Sequence, residues 1–112
     1  MFYRKLILPC LAVLTLSTSS LNSFAGELTQ ARQGELEHIL RQDCGSCHGM
    51  TLKGGLGPAL TPEALKNKPR AYLQQTIQEG HPGTPMPPWK SILPPQDIDY
   101  LVELLMNQEK LS

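Results

Sequence analysis

Apolar residues recur at helical spacing in three stretches of the chain, and no run of four or more residues alternates as a strand would. From about Thr29 to Gln42, Leu36, Ile39, Leu40 and Asp43 share one stripe, the first three forming an apolar patch. A second helix is predicted from Pro69 to Glu79, with Pro69 in its first turn and Gly80 just past its end. Its buried side would be Tyr72, Leu73, Thr76 and Ile77. The third runs from about Pro95 to Gln108. There Ile98, Leu101, Val102 and Leu105 form a stripe that Tyr100 and Leu104 widen, so this helix should touch more than one partner. "TPEAL", with Thr61 as N-cap and Pro62 at the first position, predicts a short fourth element. The pattern is that of an all-helical domain.

Between these elements lie two long loops, 44–60 and 80–95, rich in glycine and proline. Loops of that length are uncommon in a compact domain unless they serve a function. "GGLGPAL" and "GHPGTPMPPW" fall within them. Proline stiffens both, and glycine allows the backbone to come close to something flat.

The first 25 residues change the count of what must fold. Arg4 and Lys5, the apolar run Leu6–Leu16 and the small-residue site at Ser23-Phe24-Ala25 read as a cleavable secretory signal. The run is too short to span a bilayer, and Pro9 makes Cys10 a poor lipid-attachment site, so no membrane anchor is expected. Cleavage would leave 112 − 25 = 87 residues, 26–112, as one domain. Removing two basic residues takes 10 to 8 against 10 acidic ones, a net charge of −2 that gives no support for nucleic-acid binding. The remaining aromatics are Tyr72, Trp89 and Tyr100, and the remaining cysteines are Cys44 and Cys47. A domain this small needs a staple, and two cysteines cannot build a disulfide network.

Those two cysteines sit in "CGSCH", residues 44–48. A thioredoxin-like redox pair needs a βαβ setting, and no strands are visible. A zinc site could be assembled from Cys44, Cys47, His48 and a distant His81, but it would leave the loops unexplained. Covalent attachment of c-type haem accounts for more. The two thiols would add to vinyl groups on adjacent pyrroles, and His48 would coordinate the iron. The motif uses up both remaining cysteines, and haem supplies the missing staple.

The order of elements around the motif resembles a class I cytochrome c: one helix before it, three elements after it. The resemblance implies a small all-α fold with crossed N- and C-terminal helices around one covalently bound haem. It also implies that Pro58, in "GLGPAL", offers its carbonyl to the second ring N–H of His48, which would fix the imidazole and tune its basicity. For the other axial position, Met50 is too close to His48, and Met106 reads as filler at a helix edge. Met86 lies in "GTPMPPW", held by prolines, where the family places its distal methionine. His81 is a competitor in the same loop, and His38 reads as a surface residue.

His/Met ligation raises the potential and fills both axial positions, which suits a one-electron carrier and not an enzyme. A proline-locked methionine also argues against a sensor in which that ligand dissociates. Trp89 is placed either against a haem propionate or in packing beside the methionine loop. Lys53, Lys66, Lys68, Arg70 and Lys90 lie in segments expected around the haem, whereas the last helix is acidic. That asymmetry could steer docking to an acidic partner surface.

Together, "RQDCGSCHGMTLKGGLGPALTPEAL" and "IQEGHPGTPMPPW" look like cytochrome c-55X, a small periplasmic cytochrome encoded alongside the haem-d1 nitrite reductase of denitrifying bacteria. The resemblance covers about residues 36–106. Cys44, Cys47, His48 and Met86 match that family's haem attachments and ligands one by one. It implies periplasmic delivery of electrons from an upstream periplasmic or membrane-bound donor to nitrite reductase, and a mature carrier of 87 residues is expected to work as a monomer. The alternative partners it implies are the proteins of haem d1 maturation. One departure is the start of the last helix, where "LPPQD" offers Pro94 in place of a Ser or Thr cap, with Asp97 in the first turn as partial compensation.

Overall fold

A computed structural model describes residues 26–111; the expected signal sequence and Cys10 lie outside the described residues. The helices are α1 (Gln30–Ile39), α2 (Gly45–His48), α3 (Pro62–Leu65), α4 (Arg70–Glu79) and α5 (Pro95–Met106). A π-helical segment, Leu40–Cys44, joins α1 to α2, and a 3₁₀ turn, Gln108–Leu111, follows α5. Among the described residues there is no strand.

Thr29 caps α1, its hydroxyl accepting from the Arg32 N–H at 3.2 Å. The helical run then continues further than the periodicity suggests. It passes through Leu40–Cys44 and carries Cys44, Cys47 and His48, stopping at Gly49, whose φ is 90°. Gly45 and Ser46 are weak helix formers, which is why the sequence reads as a loop from residue 44. The run is nonetheless helical there: Gly45 is buried, and the Ser46 hydroxyl back-bonds locally to the Asp43 carbonyl at 2.7 Å.

α3 has its expected start, with the Thr61 hydroxyl accepting from the Ala64 N–H at 3.3 Å. In α4, Pro69 is the N-cap and not part of the first turn. Leu73 is buried and Ile77 packs on the core, but Tyr72 is 44% exposed and does not belong to the buried side. Its ring instead lies under the Lys68 ammonium, 5.2 Å from the centroid.

The core is organised around α5, which touches α1, α3 and α4. Ile98, Leu101, Val102, Leu104 and Leu105 are buried against Leu36 and Leu40 on one side and against Leu65, Leu73 and Leu93 on others. Full burial of each such side chain stabilises the fold by about 1.5–3 kcal/mol. α5 ends at Met106, which is 48% exposed, two residues earlier than the apolar stripe predicts.

Polar bonds fix how α1 meets α5. Asp97, only 3% exposed in the first turn of α5, accepts from Arg32 Nε at 3.0 Å and from its Nη2. Hydrogen bonding to Asp97 and then to Glu35 raises the Arg32 guanidinium above its usual value. The Tyr100 hydroxyl donates to Glu37 at 3.2 Å, and burial, then Glu37, raises that phenol. Pro94 supplies no side-chain cap; its carbonyl accepts from Asp97 N–H at 3.0 Å and Ile98 N–H at 3.2 Å. Asp97 therefore does more than complement the helix dipole: it is the buried anion of an interhelical pair.

Candidate functional site

The helical run places Cys44, Cys47 and His48 within little more than one turn. Cys44 is half-buried against the core and Cys47 is exposed, and the two are not joined in a disulfide. Burial, with the Asp43 carboxylate beside it, pushes the Cys44 thiol up to about 11.

His48 Nδ1 lies 2.7 Å from the Pro58 carbonyl oxygen. A carbonyl only accepts, so Nδ1 carries the hydrogen and donates it, and Nε2 keeps the lone pair a metal would take. Gly57 lies against the same ring. A Cβ at that position would stand 2.8 Å from Cε1 and 2.9 Å from Nδ1, so only glycine lets the backbone approach the imidazole this closely.

The loop that delivers these contacts is tied to the helix it follows. Gly54 N–H donates to the His48 carbonyl and Gly57 N–H to the Cys47 carbonyl, each at 2.8 Å. These bonds satisfy carbonyls that a helix end leaves unpaired. Leu52 N–H donates to Gly49, and Leu60 N–H to Leu52, also at 2.8 Å. Leu52 is buried with φ 59°, anchoring the middle of the loop in the core despite an unfavourable backbone.

The second loop is tied to the C-terminal end of α4. Trp89 N–H donates to the Ile77 carbonyl at 3.0 Å and Lys90 N–H to the Gln78 carbonyl at 3.3 Å. Within the loop, His81 N–H donates to the Met86 carbonyl at 3.3 Å, and the Thr84 hydroxyl donates to the His81 carbonyl at 2.6 Å. Met86 is half-buried and His81 exposed. The Trp89 side chain packs against the core cluster.

The residues fit a c-type haem: two thiols three positions apart on one helical run, the next residue a histidine with its tautomer set by a carbonyl, and a bare glycine against its ring. They do not fit zinc. Among the described residues no three His, Cys, Asp or Glu side chains come together as a metal-holding group, so His81 does not complete a site with the motif.

Of the five expected cations, Lys66, Arg70 and Lys90 are paired with acids within the chain, while Lys53 and Lys68 keep their charge. Lys66 pairs with Glu63, Lys90 with Glu79 at 2.6 Å, and Arg70 with Glu103 at 2.9 Å and Asp99 at 3.6 Å. Lys68 is taken up by the Tyr72 ring. Arg70 in particular belongs to the α4–α5 contact. The close approach expected of glycine in both loops falls at Gly57, against the His48 ring, and at Gly80, against the Met86–Pro88 backbone, positions that the sequence did not single out. Their only sequence signal was a glycine next to the conspicuous Pro58 and a glycine at the end of a helix.

The family described as "Cytochrome C oxidase, cbb3-type, subunit III" matches residues 31–105. Cytochrome c55X of Pseudomonas aeruginosa is 58% identical over 78 residues, 70% of this chain and 66% of that protein, so the chain spans about two thirds of that relative. Cytochrome c55X of Paracoccus denitrificans is 44% identical over 76% of this chain and 82% of its own length. Among solved structures, the c-type cytochrome NirC superposes with a TM-score of 0.71 at 52% identity, covering 76% of this chain and 99% of that one. Dihydro-heme d1 dehydrogenase NirN superposes with a TM-score of 0.60 at 37% identity, covering 63% of this chain but only 15% of that protein.

Proposed function

Because the chain belongs to the c-type cytochrome family, with the cytochromes c55X as its relatives, we propose that it is a periplasmic single-electron carrier donating to dissimilatory nitrite reductase. It is an electron-transfer cytochrome rather than an enzyme, and haem c is the group its family implies. In this reading residues 1–25 are a cleaved signal peptide and residues 26–112 hold one haem, bound through thioethers at Cys44 and Cys47. His48 and Met86 are the axial ligands, and Trp89 offers its indole N–H to a propionate. No helix among the described residues is long and apolar enough to cross a membrane.

The observation that carries the reading is the clamp on His48. The Pro58 carbonyl holds Nδ1–H at 2.7 Å, and Gly57 abuts the ring. A hydrogen-bonded, sterically confined imidazole keeps its orientation while the iron changes charge, which lowers the reorganisation that accompanies electron transfer. When bound, haem supplies the one-electron couple. The chain's own residues orient the imidazole and hold Met86 in a proline-stiffened loop; with His48 and Met86 both bound to the iron, no position would be left for substrate.

A second reading is service in haem d1 biosynthesis. A segment 36% identical to this chain forms 17% of the dihydro-heme d1 dehydrogenase of Pseudomonas aeruginosa. A dehydrogenase must pass on the electrons it removes, and a cytochrome of this kind can take them. Anaerobic stopped-flow mixing of the reduced holoprotein with oxidised nitrite reductase separates the two. Rapid oxidation of the c-haem is the expected result. Absence of transfer from a protein with intact His/Met spectra would remove the direct-donor reading and leave the maturation one.

A further inference from the structure

Gly80 ends α4 and is buried, with φ 71° and ψ −172°, a backbone region open essentially to glycine alone. The space its side chain would need is filled by another stretch of backbone. A Cβ at residue 80 would stand 2.6 Å from the Met86 carbonyl oxygen, 2.8 Å from the Pro87 carbonyl carbon and 2.9 Å from the Pro88 nitrogen. These atoms cannot swing aside as a side chain would, because Pro85, Pro87 and Pro88 restrict the backbone on both sides of Met86. Bonds around the contact hold the same strap down. The N–H groups of Trp89 and Lys90 donate to the Ile77 and Gln78 carbonyls, and Lys90 Nζ pairs with Glu79 at 2.6 Å.

We propose that Gly80 is a positioning residue for Met86: the bare Cα is the seat on which the Met86–Pro88 backbone rests, and that seat sets where the thioether is presented. The inference rests on Met86 being the distal ligand. A neighbour in the same loop supplies the control. Gly83 also has a positive φ, 79°, yet a Cβ there would meet nothing within 4 Å. Alanine at 83 imposes backbone strain alone; alanine at 80 imposes strain and unseats the strap.

The test uses holoprotein carrying Gly80→Ala, Gly83→Ala, Lys90→Ala or Met86→Ala. Its readouts are the visible spectrum of attached haem, the far-red methionine–iron charge-transfer band of the ferric protein, and the apparent affinity for added imidazole. Gly80→Ala is expected to retain attached haem, lose the band and bind imidazole at least about tenfold more tightly, since strain of this kind corresponds to such a factor. Gly83→Ala is expected to keep the band. The inference is overturned if Gly80→Ala keeps both the band and the parent affinity, or if Gly83→Ala loses the band as fully. Should Gly80→Ala yield no holoprotein, Lys90→Ala decides, because it loosens the strap without adding an atom. Imidazole binding tighter by about twofold supports the seat, and an unchanged affinity overturns it. Met86→Ala tests the premise: a band that survives there sinks the ligand assignment and the inference together. A band lost in Met86→Ala but kept in Gly80→Ala removes only the role of Gly80.

Discussion

The two glycine- and proline-rich loops hold their candidate ligands at different levels. The loop after α2 touches the His48 side chain itself, through the Pro58 carbonyl and the bare Gly57. The loop after α4 grips the backbone around Met86, through Gly80, His81 N–H and the Trp89–Lys90 bonds. The first set of contacts spans ten residues and is anchored on the helix that carries its own ligand. The second set spans five to twelve residues and is anchored on α4, which carries no candidate ligand and is placed by its packing on α5. A ligand carried by the helix to which its loop is tied should outlast one whose loop is tied to a separate helix when the fold is stressed. The proximal side is thus specified within one helix–loop unit, and the distal side also by how α4 docks on α5.

The largest effect that probes this difference comes from loosening the frame. Leu104 is fully buried on α5, and Leu104→Ala is expected to cost about 3 kcal/mol. In denaturant titrations of the ferric holoprotein followed by circular dichroism and by absorbance, the methionine band of this variant should disappear before helicity does. Coincident loss would break the comparison, since both sides would then share one cooperative unit.

Gly57→Ala should act on the proximal side alone. Forcing a Cβ against the imidazole is expected to cost about 2 kcal/mol, because the ring and a loop tied to the Cys47 and His48 carbonyls must both give. The ferric electron paramagnetic resonance spectrum should shift as the imidazole reorients, while the methionine band persists. If the band is lost and the resonance spectrum keeps its imidazole signature, the two loops are not independent.

A smaller effect concerns the α4–α5 contact on which the distal loop depends. Hydrogen bonds from Lys110 and then Arg70 hold the Glu103 carboxyl below its ordinary value of 4.5. Its folded value is lower than its unfolded one, so the unfolded chain binds the extra proton in that window. The stabilisation is therefore full above about 4.5 and is lost as pH falls through the folded value. Glu103→Gln should flatten that part of the stability–pH curve, measured by denaturant midpoints between about pH 3 and pH 6. An unchanged slope would show that the bridge does not contribute in solution. The methionine band should follow the same acid-side trend more closely than His48 ligation does.

Several features are legible in residue order alone because their causes are local. Thr61-Pro62 starts a helix wherever it occurs in such a setting, and the spacing of Ile98, Leu101, Val102 and Leu105 can face a core in only one way. The attachment motif needs only that two thiols and a histidine follow one another at a fixed interval. Other features depend on partners that no window of sequence contains. Tyr72 is apolar enough to be assigned to the buried side of α4, yet the side that α5 covers is set by Leu73 and Ile77. Gly45 and Ser46 read as loop residues, but the chain stays helical through them because Gly49 turns and Gly54 and Gly57 cap what precedes.

Charge shows the same division. Counting Lys53, Lys66, Lys68, Arg70 and Lys90 suggests a cationic face, but whether a cation is free depends on which acid lies within reach, and Lys66, Arg70 and Lys90 each have one. Asp97 reads as a first-turn acid beside a helix dipole and is in fact the buried partner of Arg32, 65 residues away. By itself the sequence determined most of the helical elements and the CxxCH motif with His48, because periodicity, capping and motif spacing act over a few residues, whereas Pro58 and Met86 became candidates through the family that their loops resemble. Only the tertiary structure decided that Gly57 and Gly80 are seats for other chain segments. A glycine's role there is the space it leaves, and that space has meaning only once another part of the chain has arrived to fill it.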